Sequence, residues 1–380
     1  MSLSPEVLQY AEEVRRLRRA LHRIPERGLE EHRTSAYVQS ELQALGIPFT
    51  VLSGTGVKAV VEGALPGPVT AFRADMDALN VPEQTGCDFA SEHPGFMHAC
   101  GHDGHMAVLL GFARLLAGHR DRLKGTAVLL FQPCEENVKG AEQLIEQGAL
   151  VNPTVDRIFG LHLMPHIPQG KLGIVSGPVM IGACEFVIRV HGRAAHGAMP
   201  QLGCDAIVAA SHFVCAVQTV ISRQKPPEAP ALLTFGRFDA GHRHNVIADE
   251  AELEGTLRAY DDALLENMRQ RVAGHMRGVE QAFGVEMTFT PVDEVPPTVN
   301  DSTMAEDVFT RFPEAAVEAE RLTVAEDFSR YGQRVPAFLG LLGCRNEELG
   351  YTEPLHSSRF QFDEEALLTG IEYYKRMVMD

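Results

Sequence analysis

The most constraining feature of this sequence is the spacing of its short apolar runs. VKAVVE (57–62), VTAFRA (69–74), GTAVLLFQ (125–132) and RIFGLHL (157–163) are nearly continuous apolar stretches. Helix-like segments, HMAVLLGFARLLAG and KGAEQLIEQGAL among them, lie between them. Strands that are apolar on both faces need helices on both sides of their sheet, so the spacing predicts an α/β fold with a mostly parallel sheet flanked by helices.

From residue 183 the period changes. ACEFVIRVH alternates Cys184, Phe186, Ile188 and Val190 with Glu185, Arg189 and His191, a pattern that buries one face only. Residues 205–223 read as a helix opened by Asp205, 230–238 and 251–260 as strands, 261–283 as a long helix and GVEMTFTPV as a closing strand. The order β-α-β-β-α-β is the split, ferredoxin-like unit. The chain is therefore expected to form a first domain from 1–181 and 298–380, with an inserted α+β domain over 182–297. Pro/Gly-rich joints fall near 176–182 and 294–297, and VPAFLGLLG should return to the first sheet.

Charge narrows the function classes. With 34 basic and 51 acidic side chains the formal net charge is −17, which argues against nucleic acid as a partner. No apolar run reaches the ~18 residues that span a bilayer, and the N-terminus lacks the apolar core of a secretory signal, so no membrane association is expected. Seven scattered cysteines do not form a disulfide framework and fit a reducing, cytoplasmic setting.

Four local patterns carry chemistry. In Met97-His98-Ala99-Cys100-Gly101-His102-Asp103-Gly104-His105, a thiolate and an imidazole two residues apart can reach one metal ion or bridge a pair, and Asp103 can orient a ring. Cys134-Glu135-Glu136 follows a strand. If that segment stays extended, adjacent carboxylates face opposite sides, one toward metal and one toward substrate; a solvated acidic pair at a helix N-terminus explains it as readily. His162 ends the run RIFGL, where a structural histidine is the commoner case. Asp75-Met76-Asp77 follows VTAFRA, with both carboxylates on one side. All four fall at or just beyond the ends of predicted parallel strands, the rim where open α/β sheets collect ligands. A mixed Cys/His/carboxylate set suits Zn, Mn, Co or Ni better than Mg or Ca. Gly54-Thr55-Gly56 resembles a dinucleotide fingerprint but precedes a strand rather than opening a helix, and no P-loop, HExxH or GxSxG is present.

Read together, LHRIPERGLEEHRT, FRADMDALNVPEQTG, MHACGHDGHMA, VLLFQPCEE, GLHLMP, HGRAAHGAMPQLGCDAI, HNVIADEAELEGTLRAYD, AEDFSRY and LHSSRFQFDEEAL resemble the aminoacylase-type metallo-amidohydrolases. The closest branch holds hippurate hydrolase, N-acetyl-diaminopimelate deacetylase and indole-3-acetyl-amino-acid hydrolase. The likeness runs from about Leu21 to the C-terminus. It implies a zinc-exopeptidase-like catalytic domain, a lid and dimerisation role for the inserted domain, and two divalent ions per subunit. By motif, the ligands would be Cys100, His102, Glu136, His162 and His356, with Glu135 as general base. Asp75, Asp77 and Asp103 would support the ligands from behind. His196 would contact substrate across a homodimer interface, and Asn245 and Arg258 would hold its carboxylate end. The implied activity is hydrolysis of N-acyl amino acids; a dipeptidase or carboxypeptidase on the same scaffold is the alternative, and a binding protein without catalysis is disfavoured by the presence of Glu135. Ala248, Asn80 and Cys204 depart from the family pattern without touching a ligand position.

Overall fold

The predicted apolar runs pair into one large sheet in the computed structural model, which describes residues 3–380. In chain order the elements are α1 (Ala11–His22), α2 (His32–Ala44), β1 (Phe49–Leu52), β2 (Gly56–Glu62), β3 (Leu65–Asp75), α3 (His102–Gly118), β4 (Lys124–Gln132), β5 (Arg157–Pro168) and β6 (Leu172–Ile174). The middle of the chain adds β7 (Gly182–His191), α4 (Ala206–Val217), β8 (Ala231–Ala240), β9 (Glu250–Ala259), α5 (Asp262–Phe283) and β10 (Glu286–Val295). Then come β11 (Ala316–Glu318), β12 (Ala337–Arg345) and α6 (Ala366–Val378).

The chain divides into two units. The first holds the residues up to Val179, with Val299–Arg321 and Asp327–Asp380; the second holds Met180–Thr298 and Leu322–Glu326. No sequence signal marked the short segment 322–326 as part of the inserted unit.

The first unit is built on an eight-stranded sheet of order β1-β2-β4-β3-β5-β12-β6-β11. β3 runs parallel to β4 and β5, and β12 runs parallel to β5. The β1 and β2 end is antiparallel. The interior is aromatic as well as aliphatic: the Phe72 ring lies 4.8 Å from both Phe112 of α3 and Tyr374 of α6. α3 is buried along nearly its whole length, as its apolar sequence requires of a helix covered on both sides.

The inserted unit has the predicted order. Its four-stranded antiparallel sheet runs β10-β7-β9-β8, with α4 and α5 supplying Phe213, Val217, Met268 and Val272 to a separate core. Both helices are capped as the sequence suggests. The Asp205 carboxylate accepts the N–H groups of Ile207 and Val208, and Asp261 accepts that of Leu264. One expectation needs correction. The helical run Ala206–Arg223 is 18 residues long with a mean hydropathy of 1.4, so by length and composition it could cross a membrane. Counting apolar runs missed it because polar residues, His212 and Gln218 among them, break it up. Its inner face, Ala209, Ala210, Phe213, Val217 and Val220, is committed to the core of this unit.

Candidate metal centre and active site

The site in the first unit assembles where β3 stops short of its neighbour. Asp75, the last residue of β3, pairs in register with Gln132, the last residue of β4. The β3–β5 pairing ends at Arg73 and Gly160. β5 continues beyond it, held on its other side by β12, where Leu341 pairs with His162. His162 is thus a mid-strand residue rather than a strand end, as the sequence suggested. It reaches the site because the β3–β5 pairing ends two residues before it, at Gly160.

Helix α3 brings Cys100 and His102. Gly101, between them, caps the helix at φ 86°, a conformation that L side chains rarely adopt. A Cβ there would meet Leu163 Cδ1 at 2.9 Å. The turn therefore requires glycine, and it lets two ligand-type side chains flank a single bend. Cys100 Sγ lies 3.5 Å from His162 Nε2, whose other nitrogen bonds the Leu163 carbonyl at 2.9 Å.

Glu135 and Glu136 do not behave as residues of an extended segment. Cys134 adopts φ 59°, and 135–138 form a turn, so the two carboxylates converge instead of facing opposite ways. Glu135 Oε2 and Glu136 Oε1 lie 3.9 and 3.8 Å from the same atom, His102 Nε2. The helix that follows starts only at Gly140, which removes the reading as an exposed pair at a helix N-terminus. Asp77 fixes the turn: its two oxygens accept the N–H groups of Glu135 and Glu136, each at 3.1 Å.

Asp75 and Asp77 grip His102 from both sides, with Asp77 Oδ1 3.4 Å from Nδ1 and Asp75 Oδ2 3.7 Å from Nε2. Asp75 is itself held at 2.6 Å by Arg73, which also reaches Asp327 and Gln132 in a fully buried network. Nothing in the sequence singled out Arg73, Gln132 or Asp327, because their roles depend on register across three chain segments.

His105 is excluded as a ligand by its bonds. Nδ1 meets Asp75 Oδ1 at 2.6 Å and Nε2 accepts the Leu163 N–H at 2.9 Å. Asp103 turns away from the site altogether, bonding Arg18 and His22 at 2.9 and 2.7 Å. It orients a ring, but not that of an expected ligand. His356 comes from a loop with no motif of its own. Its φ is 66°, its N–H bonds the Ala99 carbonyl at 2.8 Å, and its Nε2 lies 3.8 Å from Glu136 Oε1.

The electrostatics suit a cation. Burial opposes charge on His102, but Asp75 and Asp77 outweigh it and push its pKa up to about 10. Burial, reinforced by Asp77, pushes Glu136 up to about 7. Burial and the neighbouring His105 push His162 down to about 3, leaving it a neutral imidazole. Among the described residues, His102 Nε2 and Glu136 Oε1 are buried without a hydrogen-bond partner. Orphaned donor and acceptor atoms facing one point are costly unless something binds them. The donors overlap in two sets, Cys100–His102–His162 and Cys100–Glu136–His356, each with its atoms within 4.8 Å of one another. This donor chemistry fits borderline divalent ions.

In the inserted unit, His196 and Asn245 lie together. Ala195–His196 pairs with Val246–Ile247, and Gly197 N–H bonds the Asn245 carbonyl at 2.8 Å. Arg258 is not with them. It sits on β9 opposite Ala183, with its guanidinium 3.6 Å from Glu185.

Comparison with known proteins identifies the class. The model of peptidase family M20/M25/M40 matches residues 71–380, and the chain belongs to that family. Among curated relatives it is 37% identical over 357 residues to the N-acetyl-L-cysteine deacetylase of Bacillus subtilis, covering 93% of this chain and 84% of that one. It is 36% identical to thermostable carboxypeptidase 1 of Saccharolobus solfataricus, covering 97% and 95%. Its fold matches the crystal structure of a dinuclear metal binding peptidase of the M20 family from Bacillus subtilis, with a TM-score of 0.84, 33% identity and 97% of each chain covered.

Proposed function

We propose that this protein is a metal-dependent amidohydrolase that cleaves N-acyl amino acids, with N-acetyl, N-benzoyl or similar groups, to a carboxylic acid and a free amino acid. The observation that carries this reading is the placement of Glu135. It is buried, aligned through its own N–H by Asp77, and directed at the orphaned edge of His102. Cys100, His102, Glu136, His162 and His356 would hold two divalent ions, Zn, Mn, Co or Ni. Such ions supply a Lewis acid that polarises the scissile carbonyl and acidifies water. Glu135 accepts the proton of the attacking water and delivers it to the departing amine. His196 of the partner subunit would stabilise the developing oxyanion, while Asn245 and Arg258 would hold the free carboxylate of the amino acid, as the family resemblance implies.

The inserted unit supports a homodimer. His196 and Asn245 lie beyond the end of the sheet where His191 pairs with Glu250, and Arg258 is eight residues further along β9. At the rise of a strand that is roughly 25 Å, too far for one small substrate to touch both within one chain. Sharing the site between two chains removes the difficulty. A second copy would also cover the exposed Ile207 and Val208 of α4. Seven cysteines without a disulfide among the described residues support a reducing, cytoplasmic setting.

The deacetylase relative supports the N-acyl reading, and the carboxypeptidase relative supports a peptidase acting on the same carboxylate anchor. A metal-reconstituted screen separates them: N-acetyl, N-benzoyl and indoleacetyl amino acids against free dipeptides and N-blocked peptides. Turnover confined to peptides would overturn the proposal. Glu135→Gln should keep its metal and lose at least about 10²-fold in kcat.

A further inference from the structure

A second cluster of ligand-type side chains lies apart from the Cys100 centre, at the C-terminal end of α1. His22, the last residue of α1, is buried, and its Nδ1 bonds the Asp103 carboxylate at 2.7 Å. Its Nε2 points the other way, 3.3 Å from Glu83 Oε1. The same Glu83 oxygen lies 3.6 Å from the Cys87 thiol. Nε2, Oε1 and Sγ are mutually within 4.8 Å.

The surrounding contacts hold this arrangement in place. Glu83 Oε2 accepts the Ser91 N–H at 2.6 Å, which fixes the carboxylate and aims Oε1 at the cluster. Thr85 Oγ1 bonds Glu83 Oε1 and also lies 3.3 Å from Cys87 Sγ. Beside the cluster, the buried His98 ring sits 6.3 Å from that of His22, with no hydrogen-bond partner at either nitrogen among the described residues.

We propose that His22, Glu83 and Cys87 form a further zinc-type site, with one imidazole, one carboxylate and one thiolate ligand and a fourth position open to water beside the half-buried Cys87. Tetrahedral zinc with these ligand types has donor–donor edges of about 3.3–3.6 Å; the His22–Glu83 and Glu83–Cys87 separations match, and the His22 and Cys87 donors lie within 4.8 Å of each other. The Asp103–His22 bond supplies the carboxylate behind a ligating imidazole that such sites characteristically have. The set is too soft for Mg or Ca, and its open position sets it apart from closed structural zinc sites. The proposal does not depend on the reaction assigned to the Cys100 centre.

Zinc equilibrium dialysis of the full-length enzyme, with metal per chain counted by elemental analysis, tests it. At saturation the wild type should bind one equivalent more than Cys87→Ser and one more than Glu83→Gln. Repeating the titration with cadmium should give an extra thiolate-to-metal charge-transfer absorbance in the wild type that is absent from Cys87→Ser. A change at the Cys100 centre alone would affect all three proteins alike and leave the difference intact. Equal equivalents and equal absorbance in all three would overturn the site and leave His22 as a protonated bridge between Asp103 and Glu83. Cys87→Ser decides the question by itself if Glu83→Gln fails to fold.

Discussion

Asp77 serves three groups with one carboxylate. It accepts two backbone N–H groups of the Glu135–Glu136 turn and faces Nδ1 of His102. Removing it leaves those N–H groups without their acceptor, at about 1–3 kcal/mol each where they are buried. The His102 ring keeps its 2.9 Å bond to the Asp77 backbone carbonyl, but loss of a carboxylate behind a metal ligand typically weakens metal binding 10–100-fold. Asp77→Ala should therefore lower both stability and metal affinity, read by denaturant unfolding and by metal titration. A variant that loses stability but binds metal as the wild type does would limit Asp77 to holding the turn. Cys100 is different in kind. It belongs to both donor sets, so Cys100→Ser should weaken the binding of both ions, since a hydroxyl is a poor substitute for a thiolate.

Among the elements, the first turn of α3 depends on Gly101. Gly101→Ala places a methyl 2.9 Å from Leu163 Cδ1 at a left-handed φ, so a loss of at least about 1–2 kcal/mol is expected. The effect should extend to metal affinity, because Cys100 and His102 flank the bend; unchanged affinity would show that the turn is not what sets their positions. The closing helix α6 gives a pH prediction. Burial alone would raise the Glu372 pKa, but the Ser4 hydroxyl and N–H, with Arg376 and Lys375, hold it below its ordinary 4.5. A lowered folded value contributes stability above the unfolded pKa and loses it as pH falls through the folded one. Glu372→Gln should therefore destabilise the protein at pH 7, with the gap to wild type closing below about pH 4 in thermal melts. A gap independent of pH would mean that Glu372 acts through packing.

At the scale of the whole molecule, the separation of Arg258 from His196 supports the proposed dimer with a shared site. Mixing inactive Glu135→Gln and His196→Ala subunits builds, in each mixed dimer, one site with both residues intact. Random exchange should then restore roughly a quarter of wild-type activity. No recovery after verified exchange, or a fully active monomer, would refute the shared site.

The sequence determined the period of each segment and hence the class of each unit: continuous apolar runs for the large sheet, one-sided alternation for the inserted one. It also marked Cys100, His102, Glu135, Glu136, Asp75 and Asp77, because each sits at a strand or helix terminus where local pattern changes. Those signals are local, and local steric and solvation preferences are what a sequence encodes directly. Tertiary structure decided the rest. Only register against β12 and the early end of the β3–β5 pairing expose His162. Only the left-handed Cys134 swings both glutamates to one ring, and only a bond to Ala99 brings the unmarked loop of His356 to the site. Asp103 turning to His22 rather than to the centre was equally invisible. Each of these depends on contacts between residues far apart in the chain, and such contacts leave no periodic trace in the segments that make them.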